Sequence, residues 1–206
     1  MRAIVLTGAG TVFCSGADLS ESGEFRTARM AEMLSIIATA PLPVIARVNG
    51  HARAGGLGLI AASDLAVAPK GATFAFSEVR VGVAPAMILV PALPMVARRF
   101  LARTMLTGES FSADEAASSG LLTDVVEDEV SLDAWVQGAV DSILKSAPGA
   151  VAATKSLLAS LPEQSFEEGL ATAGRRSAEL FAGPEAAEGM DAFLQKRRPS
   201  WDTSAS

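Results

Sequence analysis

"PVIARVNGHARAGGLGLIAASDLAVA", residues 43–68, sets two short apolar runs, Val44–Val48 and Leu65–Ala68, on either side of a glycine-rich loop and a brief apolar segment, Gly56–Ser63. Runs of this length, bounded by turn residues, read as buried strands, and the segment between them reads as a short helix. Strand, helix and strand in close succession predict an α/β layer built on a largely parallel sheet. The loop carries a second message. Small side chains let another molecule approach the backbone, and the first turn of a helix offers amide N–H groups that have no partner inside the helix. Such a loop suits the binding of an oxygen.

Working outward, Ala3–Thr7 is a further apolar run of strand type, and "GAGTVFCSGAD" after it reads as loop. "EFRTARMAEMLSIIATA" spaces Phe25, Met30, Met33, Leu34 and Ile37 as a helix does, and Pro41 and Pro43 end it. A fourth strand, near Thr73–Phe76, leads to Glu78. From Leu89 onward the pattern is nearly all helical. "SADE" at 112–115 is a capping box closed downstream by Gly120, and helices are predicted over 131–146, 149–160, 166–182 and 184–197. On these last helices Phe166, Leu170 and Leu180, then Met190, Phe193 and Leu194, share single faces. The expected division is an α/β core over 1–130 and a helical C-terminal region over 131–206 that serves oligomerisation.

Composition excludes several classes. With 206 residues, half of them hydrophobic, the chain can bury one sizeable core. A net charge of −6, with no basic run before the C-terminal "KRR", argues against nucleic acid as a partner. The one cysteine, Cys14, rules out a disulfide framework and suits a cytoplasmic protein, and the N-terminus lacks the pattern of a signal peptide. "VGVAPAMILVPALPMVA", residues 81–97, carries three prolines and a glycine and suits a packed turn better than a membrane span. Gly8 and Gly10 begin a dinucleotide-binding pattern that Phe13 breaks, and the one histidine, His51, rules out a multi-histidine metal site. His51 is expected at the loop entrance, hydrogen-bonded to backbone, and no metal or separate cofactor is expected.

Two amide-rich places remain, "CSGADL" at 14–19 and "RAGGLG" at 53–58, each directly after a strand. Two backbone N–H groups from different loops that converge on one oxygen form an oxyanion hole, which stabilises the charge of an enolate. At this point the chain resembles the crotonase, or enoyl-CoA hydratase/isomerase, family. "RAIVLTGAGTVFCSGADL", the 43–68 stretch, "FAFSEVRVGVAP", "LTGESFSADEAASSGLLTDVV" and "EGMDAFLQKRRPSW" stand in the family's order. "GLGL" followed by "EVRVG" is similar to the branch resembling methylglutaconyl-CoA hydratase.

The resemblance implies a crotonase-like spiral α/β core with a helical C-terminal layer, an acyl-CoA thioester substrate, and assembly as a trimer or dimer of trimers. It implies that the amides of Ala17 and Gly55 hold the thioester oxygen and that Glu78 is the acid/base. Ser15, Ala17 and Leu19 would border the adenine and pantetheine, and Asp18 is expected to be structural. Pro85 and Met87 fall beside the acyl group, where Met87, Ile88 and Leu89 suggest an apolar floor. Phe193 and Lys196 match positions that approach the CoA of an adjacent subunit, although a core aromatic and a solvated lysine would explain them as well. Two departures stand out. Hydratases of the family generally carry a second glutamate where this chain has Gly58, and they carry a strand–strand–helix unit of roughly 30 or more residues ahead of "MRAIVLTG". The expected activity is hydration of an enoyl-CoA. Isomerisation with Glu78 alone, and a catalytically weak acyl-CoA-binding paralogue, are the alternatives.

Overall fold

The computed structural model describes residues 1–16 and 23–204, with side chains of the first helix from residue 27 onward. The chain divides into two compact units, Ile4–Ala40 with Val44–Val136, and Met1–Ala3 with Pro41–Pro43 and Gln137–Ser206.

The first unit contains two four-stranded sheets. The strands are β1 (Ile4–Thr7), β2 (Val12–Cys14), β3 (Val44–Arg47), β4 (His51–Arg53), β5 (Leu65–Pro69), β6 (Thr73–Ala75), β7 (Ser110–Ser112) and β8 (Asp124–Val126). One sheet has the order β1-β3-β5-β8, and all its pairs are parallel. The other has the order β2-β4-β6-β7, parallel except for the β6–β7 pair. The expected largely parallel α/β architecture is present, but as two sheets rather than one, because β1 to β6 alternate between them before β7 joins the second sheet and β8 the first.

The helices of this unit are α1 (Gly23–Thr39), α2 (Gly55–Ala62), α3 (Ala86–Ala92), α4 (Arg98–Thr107) and α5 (Ala113–Ser119). In β3, Val44, Ile45 and Ala46 are all buried, as expected of a parallel strand covered on both faces. Ala46, Ala66 and Ala68 of one sheet share a core with Ala52, Phe74 and Phe111 of the other, and the rings of Phe74 and Phe76 stack on Phe111. The capping box at Ser112 is formed: the Glu115 amide donates to Ser112 Oγ at 3.2 Å, and the Ser112 amide to Glu115 Oε2 at 3.0 Å. Gly120 closes that helix at φ 93°.

Three sequence expectations are corrected. The segment after β1, read as loop, contains β2, and the glycine loop after β3 contains β4; each is three residues long, too short to display a period of two. The region after Leu89, read as almost wholly helical, contributes β7 and β8 for the same reason.

The second unit takes in the last part of α6 (Glu129–Leu144), then α7 (Pro148–Ser160), α8 (Phe166–Phe181) and α9 (Pro184–Leu194). These match the four predicted helices with shifts of a few residues; the last ends early because Lys196 turns to φ 54°. Phe166, Leu170, Phe181, Met190, Phe193 and Leu194 are exposed rather than packed in a core. Among the described residues no helix is long and apolar enough to cross a membrane, and no group of His, Cys, Asp and Glu could hold a metal ion.

Candidate functional site

β2, β4 and β6 lie side by side and parallel, so the loops that leave their C-terminal ends open along one edge of the sheet. Those loops are the one following Cys14, the Ala54–Gly55 turn into α2, and Ser77–Glu78. Asn49 ties the approaches together: its Oδ1 accepts from the Gly8 amide at 2.9 Å, and its Nδ2 donates to the Gly10 carbonyl at 2.7 Å. His51 is where the sequence suggested. Its Nδ1 accepts from the Thr73 amide at 3.1 Å, which is a structural bond between β4 and β6.

Gly55 and Gly56 are the first two residues of α2, so their amides have no partner within the helix. They are aimed by Ala54, which holds φ 49° and ψ −122°, a left-handed backbone region that a residue with a Cβ rarely enters. Hydrogen bonds on both sides fix this turn: the Ala54 amide donates to the Ala75 carbonyl at 3.0 Å, and the Ala54 carbonyl accepts from the Leu57 amide at 2.9 Å.

Small residues let the loops close on one another. A Cβ on Gly16, which has φ 106°, would lie 3.5 Å from Ala54 Cβ, so the loop after β2 runs directly against the turn. A Cβ on Gly56 would lie 2.7 Å from Cys14 Cβ. Ser15 is exposed beside this junction. Ala17, Asp18 and Leu19, three residues the sequence assigned to this loop, lie outside the described residues.

Glu78 opens a 3-10 turn, Glu78–Val81, at the end of the β6 connection. Its Oε2 is buried, and among the described residues nothing donates a hydrogen bond to it. Burial pushes the carboxyl above the ordinary carboxylate range, and a hydrogen bond from its own main-chain N–H offsets part of that rise. Among the described residues Glu78 makes no ion pair with the nearby Arg80, whose side chain lies against Gly108. A half-buried carboxylate with one empty oxygen is suited to exchange a proton with something that enters the site.

The other predicted residues are distributed differently. Gly58 is buried in α2, and a Cβ there would meet Ile88 Cγ1 at 3.3 Å and Leu34 Cδ2 at 3.4 Å, so its surroundings are apolar. Pro85 is buried and caps α3, where its carbonyl accepts from the Leu89 amide at 3.1 Å. Met87 packs with Leu34, Ile37, Val44 and Ala62, while Ile88 and Leu89 join the main core. Phe193 and Lys196 belong to the second unit; Phe193 is 82% exposed, which removes its reading as a core aromatic, and Lys196 is exposed. Sequence reasoning missed Ala54 and Arg53. Nothing in an alanine announces a left-handed backbone, and an arginine on a three-residue strand gives no pattern.

A family model described as enoyl-CoA hydratase/isomerase matches residues 1–204. The crystal structure of an enoyl-CoA hydratase from Mycobacterium smegmatis superposes with a TM-score of 0.90 at 38% identity, covering 98% of this chain and 81% of that one. Mevalonyl-coenzyme A hydratase sidH of Aspergillus fumigatus is 34% identical over 214 residues, 97% of this chain and 77% of that protein. The 2,3-dehydroadipyl-CoA hydratase of Escherichia coli is 31% identical over 203 residues, 96% of this chain and 79% of that protein.

Proposed function

The chain belongs to the enoyl-CoA hydratase/isomerase family, and from that premise we propose that it adds water to an α,β-unsaturated acyl-CoA with Glu78 as its acid/base. The observation that carries this reading is the buried, unpartnered Oε2 of Glu78 at the edge where β4 delivers the Gly55 amide. The thioester oxygen accepts from the Gly55 and Ala17 amides, which draws electron density from the double bond and makes Cβ electrophilic. Water attacks Cβ as ionised Glu78 takes one of its protons. The enolate is held by the two amides, and Glu78 returns the proton to Cα. One O–H bond and the π bond of C=C break, one C–O and one C–H bond form, and the carboxylate is regenerated. A carboxyl raised above its ordinary range suits both halves of that cycle, because it is a stronger base when ionised and a ready donor when protonated.

A second reading is double-bond isomerisation, in which Glu78 removes a proton from one carbon and returns it to another. It is favoured by the apolar surroundings of Gly58, which place no carboxylate at that position of α2 to orient water. The assembly proposed is a trimer or dimer of trimers, supported by the exposed apolar residues of α8 and α9. In it Phe193 and Lys196 would approach the CoA of an adjacent subunit. A cytoplasmic setting agrees with the single cysteine.

The test is to incubate the purified chain with crotonyl-, 3-enoyl- and 3-methylglutaconyl-CoA and identify the products. A 3-hydroxyacyl-CoA supports hydration, and a shifted double bond without added water supports isomerisation. Binding without turnover of any of the three would overturn both and favour the weak paralogue.

A further inference from the structure

Arg53 is half-buried at the end of β4, directly before the strained turn at Ala54. Its guanidinium pairs with no carboxylate among the described residues. Instead Nη1 donates to the Thr73 carbonyl at 2.6 Å and to the Ala52 carbonyl at 2.9 Å, and Nη2 donates to Thr73 Oγ1 at 2.8 Å. Thr73 begins β6, and its amide is already held by His51 of β4 at 3.1 Å. The planar fork therefore spans two strands and binds main chain on both, a geometry that a flexible ammonium cannot reproduce. On the far side of this clamp β4 continues into Ala54 and Gly55, and β6 continues toward Ser77 and Glu78.

We infer that Arg53 is a positioning residue, fixing β4 against β6 so that the Gly55 amide and the Glu78 carboxyl keep their catalytic separation. The strained backbone at Ala54 is the reason a clamp is needed. A left-handed alanine relaxes unless its neighbours over-determine it, and relaxation there swings the Gly55 N–H away from the oxygen it must meet. Arg53 is one residue from that hinge and anchors it from the strand side, while the Ala54–Ala75 bond anchors it from the turn side. Arg53 itself touches neither substrate nor reacting atoms. This inference rests on the oxyanion-hole reading above.

The experiment measures the hole directly. Butyryl-CoA labelled with carbon-13 at the thioester carbonyl cannot be hydrated, and its carbonyl resonance moves downfield when amides polarise the oxygen. The wild-type chain is expected to produce that displacement, and Arg53→Met to lose most of it while keeping its affinity for the thioester. Turnover of the competent enoyl-CoA should fall about 10–10²-fold in kcat with KM little changed, the signature of misplacement rather than lost binding. Arg53→Lys should give intermediate values in both measurements, and it serves as the readout if Arg53→Met fails to fold. Thr73→Val, which removes one acceptor of the fork, should move the resonance in the same direction. A displacement in the wild type that persists in Arg53→Lys and Thr73→Val overturns the role of Arg53 and leaves the hole intact. The absence of any displacement in the wild type removes the oxyanion hole and this inference together.

Discussion

A Cβ on Gly58 would stand 3.3 Å from Ile88 Cγ1, closer than side chains ordinarily approach one another, so α2 and α3 are packed around the absence of a side chain. By the family resemblance this is the position where hydratases generally carry a second glutamate. Gly58→Glu alone should therefore destabilise by about 1–3 kcal/mol, the usual range for overpacking. Ile88→Ala opens the space, and the double variant should be more stable than the two single costs predict, with faster hydration and unchanged isomerisation. Urea melts of the four chains and product identification check this. Additive stabilities would mean that Gly58 and Ile88 do not limit each other.

Glu78→Gln keeps shape and hydrogen bonding but cannot accept the proton of water. Turnover should fall by about 10²–10⁴ while thioester binding persists. Stability should move the other way. A carboxyl raised by burial binds its proton more tightly in the folded than in the unfolded chain, so its contribution is most favourable below the ordinary carboxylate range. That contribution is lost as pH rises through the raised value. Glu78→Gln should thus be more stable than the wild type at neutral pH, with the difference shrinking as pH falls toward the ordinary carboxylate range. Denaturant melts across that window measure it, and a variant less stable at neutral pH contradicts the burial of a charge there.

The family resemblance points to Gly55 and Glu78, and the place of each directly after a strand agrees with it, while the alternation of apolar runs with glycine loops predicts the α/β class that the structure has. The division into two sheets was not legible, because β2, β4, β7 and β8 have three residues each and a period of two needs more than that to be seen. Nor was Ala54, whose left-handed backbone is held in part by a bond to Ala75 on β6, remote from it in sequence. The apolar character of Met87 suggests a pocket floor but does not say what it packs on. Its packing on Leu34 and Ile37 depends on where α1 lies, which local sequence does not specify.

The C-terminal segment should come loose in acid. Arg197 grips both oxygens of Glu188 at 2.8 Å, and the Ser200 amide donates to Glu188 Oε1 at 2.7 Å. These bonds, the guanidinium first, hold the Glu188 carboxyl down to about 2. A folded value below the unfolded one means the grip is fully present above the ordinary carboxylate range and is lost as pH falls from there toward about 2. Trp201 reports on it, since its ring lies against Gly189 and its Nε1 donates to the Lys145 carbonyl at 3.2 Å. In a Trp135→Phe background, Trp201 fluorescence should change over that interval, and Glu188→Gln should bring the acid signal to neutral pH. Fluorescence that ignores Glu188→Gln would mean that Trp201 is held instead by Lys145 and by Arg2, whose Nη1 donates to the Trp201 carbonyl at 3.1 Å.

Gly55 and Gly56 adjoin in sequence, and the structure separates what each is for. A Cβ on Gly56 would meet Cys14 Cβ at 2.7 Å, an atom fixed to the backbone of β2 that cannot step aside. Gly56→Ala should accordingly cost about 1–3 kcal/mol of stability by forcing α2 off the sheet. A Cβ on Gly55 meets Met30 Cε at 2.5 Å, the free end of a flexible side chain that can turn away. Gly55→Val should then fold with a smaller loss, but its branched side chain crowds the oxygen that the amide must reach. Losing one such donor costs about 10²–10³ in rate. Met30→Ala in the Gly55→Val background discriminates between the two causes: it relieves packing, so stability should recover, and it leaves the valine over the amide, so rate should not. Recovery of both would make Gly55 a packing residue only. Near wild-type turnover in Gly55→Val itself would take its amide out of the oxyanion hole.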